Sequence, residues 1–131
     1  MRCRGIRGAI TVDSNSGRDI LTASRELLTE MLSANDVRSD DVAAAFFSTT
    51  PDLNAEFPAR AAREMGWTDV ALLCGHEMAV PGSLDRCLRI LLLVNTEKRP
   101  DEIAHVYLRG ARALRPDREQ SRPDDYGGGC K

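Results

Sequence analysis

The sequence predicts an α+β (mixed α/β) single domain with a mixed five-stranded sheet and flanking helices. Three observations lead there. Two runs, Gly5–Val12 and Cys87–Asn95, alternate side chains with the period of two that a strand requires. One long segment, 18–34, repeats its apolar residues at helical spacing instead. Shorter apolar runs between turn signals supply three further strands, and 131 residues are enough for one core but not two.

The first strand spans 3–12. Ile6, Gly8, Ile10 and Val12 share one face, and Gly5, Arg7, Ala9 and Thr11 share the other, so Arg7 projects among small residues. Asp13 to Gly17 is turn and cap chemistry. The helix that follows carries Ile20, Leu27, Leu28, Met31 and Leu32 on one stripe, and Asn35-Asp36 closes it. Ala45–Thr49 is the second strand, chosen over helix because aromatics and threonines crowd its end. Pro58 opens a short helix to Met65, with Arg60 and Arg63 on one face and Gly66 ending it.

Val70–Cys74 reads as a brief buried strand, followed by a loop over 75–83 punctuated by Gly75, Pro81 and Gly82. The fourth strand places Cys87, Arg89, Leu91 and Leu93 on one side and Leu88, Ile90, Leu92 and Val94 on the other. Pro100-Asp101-Glu102 starts a helical turn, and Val106–Ala111 is a last strand with Tyr107 and Arg109 on one face. The domain is expected over 1–117, with a flexible tail over 118–131 rich in Asp, Arg, Gly and Pro. Most strands are apolar on both faces, yet the helices are too few to cover both sides of a sheet. That imbalance predicts a closed homo-oligomer.

A net charge of −2 gives no global attraction to nucleic acid or to an anionic membrane, so anion binding must be local. No apolar run approaches the ~20 residues that span a bilayer. No signal-peptide core follows the opening Met-Arg-Cys-Arg. Cys3, Cys74, Cys87 and Cys130 form no Cys-x-x-Cys pair and are too scattered for a zinc site. A reducing, cytoplasmic setting follows from the same cysteine usage.

Taken singly, the polar residues have ordinary explanations. Arg7 and Arg89 fit a structural bridge to a carboxylate, Cys74 a small packing residue, and Glu77 a solvated loop acid. Tyr107 fits a core residue with its hydroxyl at the surface. His76 beside Cys74 suggests a nucleophilic pair, but no oxyanion loop accompanies it. Together, two strand arginines beside a Cys-x-x-Glu tip suggest a pocket for a small anion, because a guanidinium keeps its charge and must be paired or face a cavity.

Seven ordered blocks carry a family resemblance: Arg4-Gly5-Ile6-Arg7-Gly8-Ala9, Ser48-Thr49-Thr50-Pro51-Asp52-Leu53, Phe57-Pro58-Ala59-Arg60-Ala61-Ala62-Arg63, Cys74-Gly75-His76-Glu77-Met78, Cys87-Leu88-Arg89, His105-Val106-Tyr107-Leu108 and Leu114-Arg115-Pro116-Asp117. In order and spacing they resemble the AroH-class monofunctional chorismate mutases. The resemblance implies a trimeric pseudo-barrel with sites at subunit interfaces, and chorismate as the substrate converted to prephenate. It implies binding roles for Arg7, Leu73, Cys74, Gly75, His76, Glu77, Arg89 and Tyr107. It brings Phe57, Ala59, Arg60 and Arg63 from a neighbouring subunit, and places Leu114 and Arg115 near the mouth. Arg60 stands where the family commonly has lysine, and Ala79 replaces an acid.

Such a rearrangement is unimolecular and needs no nucleophile, proton transfer, metal or cofactor. It needs a clamp on the reactive conformer and fixed charge at the ether oxygen. The resemblance therefore makes Arg89, Glu77 and Arg7 the catalytic candidates. Arg89 is expected at the ether oxygen, Arg7 with Tyr107 at a carboxylate, and Glu77 at the ring hydroxyl. A non-catalytic trimeric binder of small carboxylates and a hydrolase centred on Cys74 are the alternatives.

Overall fold

The computed structural model describes residues 1–114; Arg115, Cys130 and the expected tail lie outside the described residues. The elements are β1 (Arg2–Thr11), α1 (Gly17–Ala34), β2 (Val42–Thr49), α2 (Ala59–Glu64), β3 (Ala71–His76), β4 (Cys87–Thr96) and β5 (Val106–Leu108). Single 3₁₀ segments cover Ser39–Asp41, Pro100–Glu102 and Arg109–Leu114. The strands form one mixed sheet in the order β3-β2-β4-β1-β5. β4 runs antiparallel to both β1 and β2, while β3 and β5 lie parallel to β2 and β1 at the two edges.

The long helix starts where the cap chemistry placed it: the Asp19 N–H donates to the Ser16 hydroxyl at 3.1 Å. Its apolar stripe, Ile20, Ala23, Leu27, Leu28 and Met31, is fully buried. Against it pack Ile6 and Ile10 of β1, Phe47 of β2, and Leu88, Ile90, Leu92 and Val94 of β4. These residues are the same side of each alternation, so one sheet face makes the core. Gly8 lets the helix close onto β1, since a Cβ there would overlap the Met31 sulfur.

Nothing in the described chain covers the other face to the same extent. Phe46 and Leu91 are more than a third exposed there, beside Ala44, Leu93 and Gly5, matching the imbalance read from the sequence. No helix among the described residues is long and apolar enough to cross a membrane.

Two expectations need correction. Val70–Cys74 is not a buried strand ending before Gly75. β3 continues to His76, because Ser48 and Thr49 pair with Gly75 and His76, and as an edge strand it leaves Leu73 61% exposed. The last strand stops at Leu108 and does not reach Ala111. Arg109 takes a left-handed backbone (φ 52°), its side chain reaches Glu26 on α1 at 2.7 Å, and the Gly110 N–H donates to the Thr11 hydroxyl. Arg109 therefore leaves the face of Tyr107, and the following 3₁₀ segment folds Ala111 against Tyr107 and Cys87.

Buried Asn35 ties the end of α1 to the approach of β5. Its amide donates to the carbonyls of Met31 and Ala104 and accepts from the Ala104 N–H at 2.7 Å. Asn35→Ala leaves those backbone groups unpaired, each costing about 1–3 kcal/mol. Denaturant unfolding should show a loss of at least that size, and a midpoint equal to that of the parent protein would contradict the bracing role.

Candidate active site

Strand register assembles the site on the uncovered face. Gly75, Ser48, Arg89, Ala9 and Tyr107 form one row across all five strands, each residue paired with the next. The adjacent row is Leu73, Phe46, Leu91 and Arg7. Residues two apart on a strand share a face, so Arg7 stands diagonally beside Arg89. Arg7, Ala9, Phe46, Ser48, Glu77, Arg89, Leu91 and Tyr107 line one cavity of about 230 Å³.

Glu77 enters this cavity from just past β3. Its N–H donates to the Thr49 carbonyl at 2.7 Å, which carries the β2–β3 pairing one step beyond the strand. Its carboxylate lies 3.6 Å from the Arg89 Nε, with the two side chains 26% and 23% exposed. That contact is an ion pair wider than a hydrogen bond. The Arg7 guanidinium is in no ion pair among the described residues. Its backbone N–H donates to the ring of His105 at 2.9 Å.

A small apolar cluster of Ala9, Cys87, Tyr107 and Ala111, with Leu84 and Leu114 packed on it, supports the floor. Burial pushes the Cys87 thiol up, against the opposing charge and hydrogen bond of Arg89, so this residue meets the guanidinium as a neutral group. The start of β4 is braced from the 50s turn. Thr50 donates its hydroxyl to Asp52 and accepts from the Cys87 N–H, and Asp52 also accepts from the Arg86 N–H at 3.0 Å. The Thr50 bond holds the Asp52 carboxyl below its ordinary range, helped by the Arg86 amide and opposed by burial. A depressed carboxyl stabilises the fold above its unfolded pKa and loses that contribution as pH falls through the folded value.

Alternation puts the remaining predicted residues elsewhere in the chain. Cys74 and His76 point to the helix-covered face, at its open edge. There they line a second cavity of about 350 Å³ with Thr49, Leu53, Phe57, Pro58 and the backbone of Gly75. The His76 Nδ1 sits 3.1 Å from the Thr49 hydroxyl. Burial raises the Cys74 thiol, opposed by a backbone bond from Ala59 and by the Arg63 charge. A raised thiol is the reverse of an activated nucleophile, which argues against a Cys74 hydrolase. Ala59 is buried at the start of α2, Phe57 is 66% exposed, and Arg63 is exposed. Arg60 bridges Glu56 at 2.7 Å and Glu64 at 3.2 Å. The Phe57 N–H first and Arg60 second hold Glu56 below the usual carboxylate range.

Known proteins resemble this chain over most of its length. Residues 3–118 match the family described as chorismate mutase type I. The chain is 50% identical over 119 residues to the chorismate mutase AroH of Thermus thermophilus, covering 90% of this chain and 98% of that protein. It is 43% identical over 118 residues to the AroH chorismate mutase of Bacillus subtilis (strain 168), covering 89% and 93%. A solved chorismate mutase from Clostridium thermocellum superposes with a TM-score of 0.84 at 48% identity, covering 85% of this chain and 99% of that one. This chain belongs to the type I chorismate mutases.

It is therefore an intramolecular transferase of aromatic amino acid biosynthesis. Within one chain of this chorismate mutase, Arg7, Glu77, Arg89 and Tyr107 converge, with Leu114 behind Tyr107. Phe57, Cys74 and His76 gather at the second cavity, and Leu73 stands exposed on the first face. The sequence reading passed over Phe46, Ser48 and Leu91 as cavity residues. The alternation of β2 could have signalled the first two, but only the β2–β4 register shows that they flank Arg89.

The raised thiols can be read directly. Iodoacetamide at pH 8 should label exposed Cys3 first, with Cys74 and Cys87 slower by about tenfold or more. Labelling of Cys74 ahead of Cys3 in a mass-spectrometric time course would contradict a neutral Cys74.

Proposed function

We propose that this chorismate mutase converts chorismate to prephenate at sites shared between the subunits of a homotrimer, with Arg89 as the fixed charge at the breaking ether bond. The observation that carries this reading is the convergence of Arg7, Glu77, Arg89 and Tyr107 on one cavity of an uncovered sheet face. The reaction breaks one C–O bond and forms one C–C bond within a single molecule, so atoms balance without any co-reactant. Negative charge on the ether oxygen is greatest in the transition state, and a preorganised guanidinium then acts differentially.

Arg7 is the side chain for a substrate carboxylate, since a guanidinium fork binds two oxygens at once. Tyr107 adds a hydroxyl to the same end, and Glu77 accepts from the ring hydroxyl while Arg89 holds it in place. Cys74 contributes as a neutral thiol. Phe57, Arg60 and Arg63 complete the site from the neighbouring subunit. Two features favour this: the exposed apolar residues Phe46 and Leu91 need cover, and the exposed Phe57 stands at a cavity beside β3, an edge strand of the same sheet. Arg115, which the resemblance implies near the mouth, lies outside the described residues. The cytoplasm suits the free thiols of Cys3, Cys74 and Cys87. A non-catalytic carboxylate binder with the same pocket would hold chorismate without consuming it.

One experiment separates these readings. The parent protein, in chelator, should consume chorismate by ultraviolet absorbance. An Arg7→Ala variant and an Arg60→Ala/Arg63→Ala variant, each nearly inactive, should regain part of that rate when unfolded together and refolded as mixed trimers. A folded parent protein without turnover would leave only the binder. Monomeric mass, or no recovery on mixing, would remove the shared site.

A further inference from the structure

Ser48 occupies the centre of the site's main row, paired across the sheet with Arg89 on one side and Gly75 on the other. It lines the same cavity as Arg7, Glu77, Arg89 and Tyr107. Its hydroxyl oxygen is buried and has no hydrogen-bond partner among the described residues, the one buried side-chain oxygen or nitrogen there in that condition. Such a group carries an unrecovered desolvation cost, and in a folded protein it calls for a reason. Alanine would fill the position at lower cost if packing alone mattered.

The neighbours supply the reason. Arginine only donates and an ionised glutamate only accepts, whereas a hydroxyl does both at once. Cross-strand partners bring their Cβ atoms to about 4.5–5.5 Å, so the Ser48 hydroxyl and the Arg89 side chain share one patch of sheet. The Arg89–Glu77 contact is wide at 3.6 Å, leaving both groups with unused hydrogen-bonding capacity. We infer that Ser48 is a positioning residue for the rearrangement, its hydroxyl accepting from Arg89 and donating to Glu77 when substrate draws those two side chains to its own oxygens. The bridge fixes the guanidinium against the floor at the moment its charge is needed. The inference rests on the roles proposed above for Arg89 and Glu77.

The test compares the full-length parent protein with Ser48→Ala and Ser48→Thr, reading kcat and KM for chorismate and the Tm without substrate. Ser48→Ala should raise Tm, because an unpaired buried hydroxyl is gone, while kcat falls about tenfold to a hundredfold and KM changes less. Ser48→Thr keeps the hydroxyl and should restore most of kcat. On a Glu77→Gln background the Ser48→Ala loss should shrink, since the bridge already lacks its charged acceptor. A parent-like kcat in Ser48→Ala overturns the inference. So does a loss of both kcat and Tm that Ser48→Thr fails to restore, which marks Ser48 as packing alone. A parent protein without turnover instead overturns the proposed function, and this inference with it.

Discussion

Arg89 carries a guanidinium near the start of the central strand of a five-stranded sheet. A guanidinium so placed cannot be packed under a helix without a large desolvation cost. The rest of the structure follows from that constraint. The helices gather on the opposite face, where Leu88, Ile90, Leu92 and Val94 meet α1. The face that carries Arg89 keeps a cavity, a facing carboxylate from Glu77 and a second arginine two residues off its row.

The same constraint explains why the fold spends polar bonds around the start of β4. Thr50 and Asp52 hold the backbone of Arg86 and Cys87, so the strand enters the sheet in one register, and register alone decides what stands beside Arg89. A slip of one residue would turn Arg89 into the core and Leu88 into the cavity. Asn35 does the same for the approach to β5, which delivers Tyr107 to the end of the row. Stability and catalysis meet in these braces, and Ser48 is where they oppose each other.

Much of this was legible in the sequence. The alternation of β1 and β4 told which face each arginine takes, and the helical stripe of α1 told what covers the other face. Three matters were not legible. The apolar run Val70–Cys74 looks buried, but its place at the sheet edge comes from pairing with β2, which no local pattern reveals. The apolar and arginine alternation around Leu108 continues past the point where Arg109 turns left-handed to reach Glu26, a contact 83 residues away in the chain. The Cys-x-x-Glu tip reads as one feature, yet residues three apart on an extended chain face opposite ways. Glu77 therefore joins Arg89, while Cys74 joins Phe57 at the second cavity.

The role proposed for Arg89 depends on its charge and not only on its shape. Replacing it with citrulline keeps the size and most of the hydrogen bonding while removing the charge. Single-turnover and steady-state rates with chorismate then separate the two contributions. If charge at the ether oxygen lowers the barrier, kcat falls by about 10²–10³ or more while KM changes far less. A citrulline variant with a kcat near that of the parent protein would contradict this role, because positioning alone would then suffice.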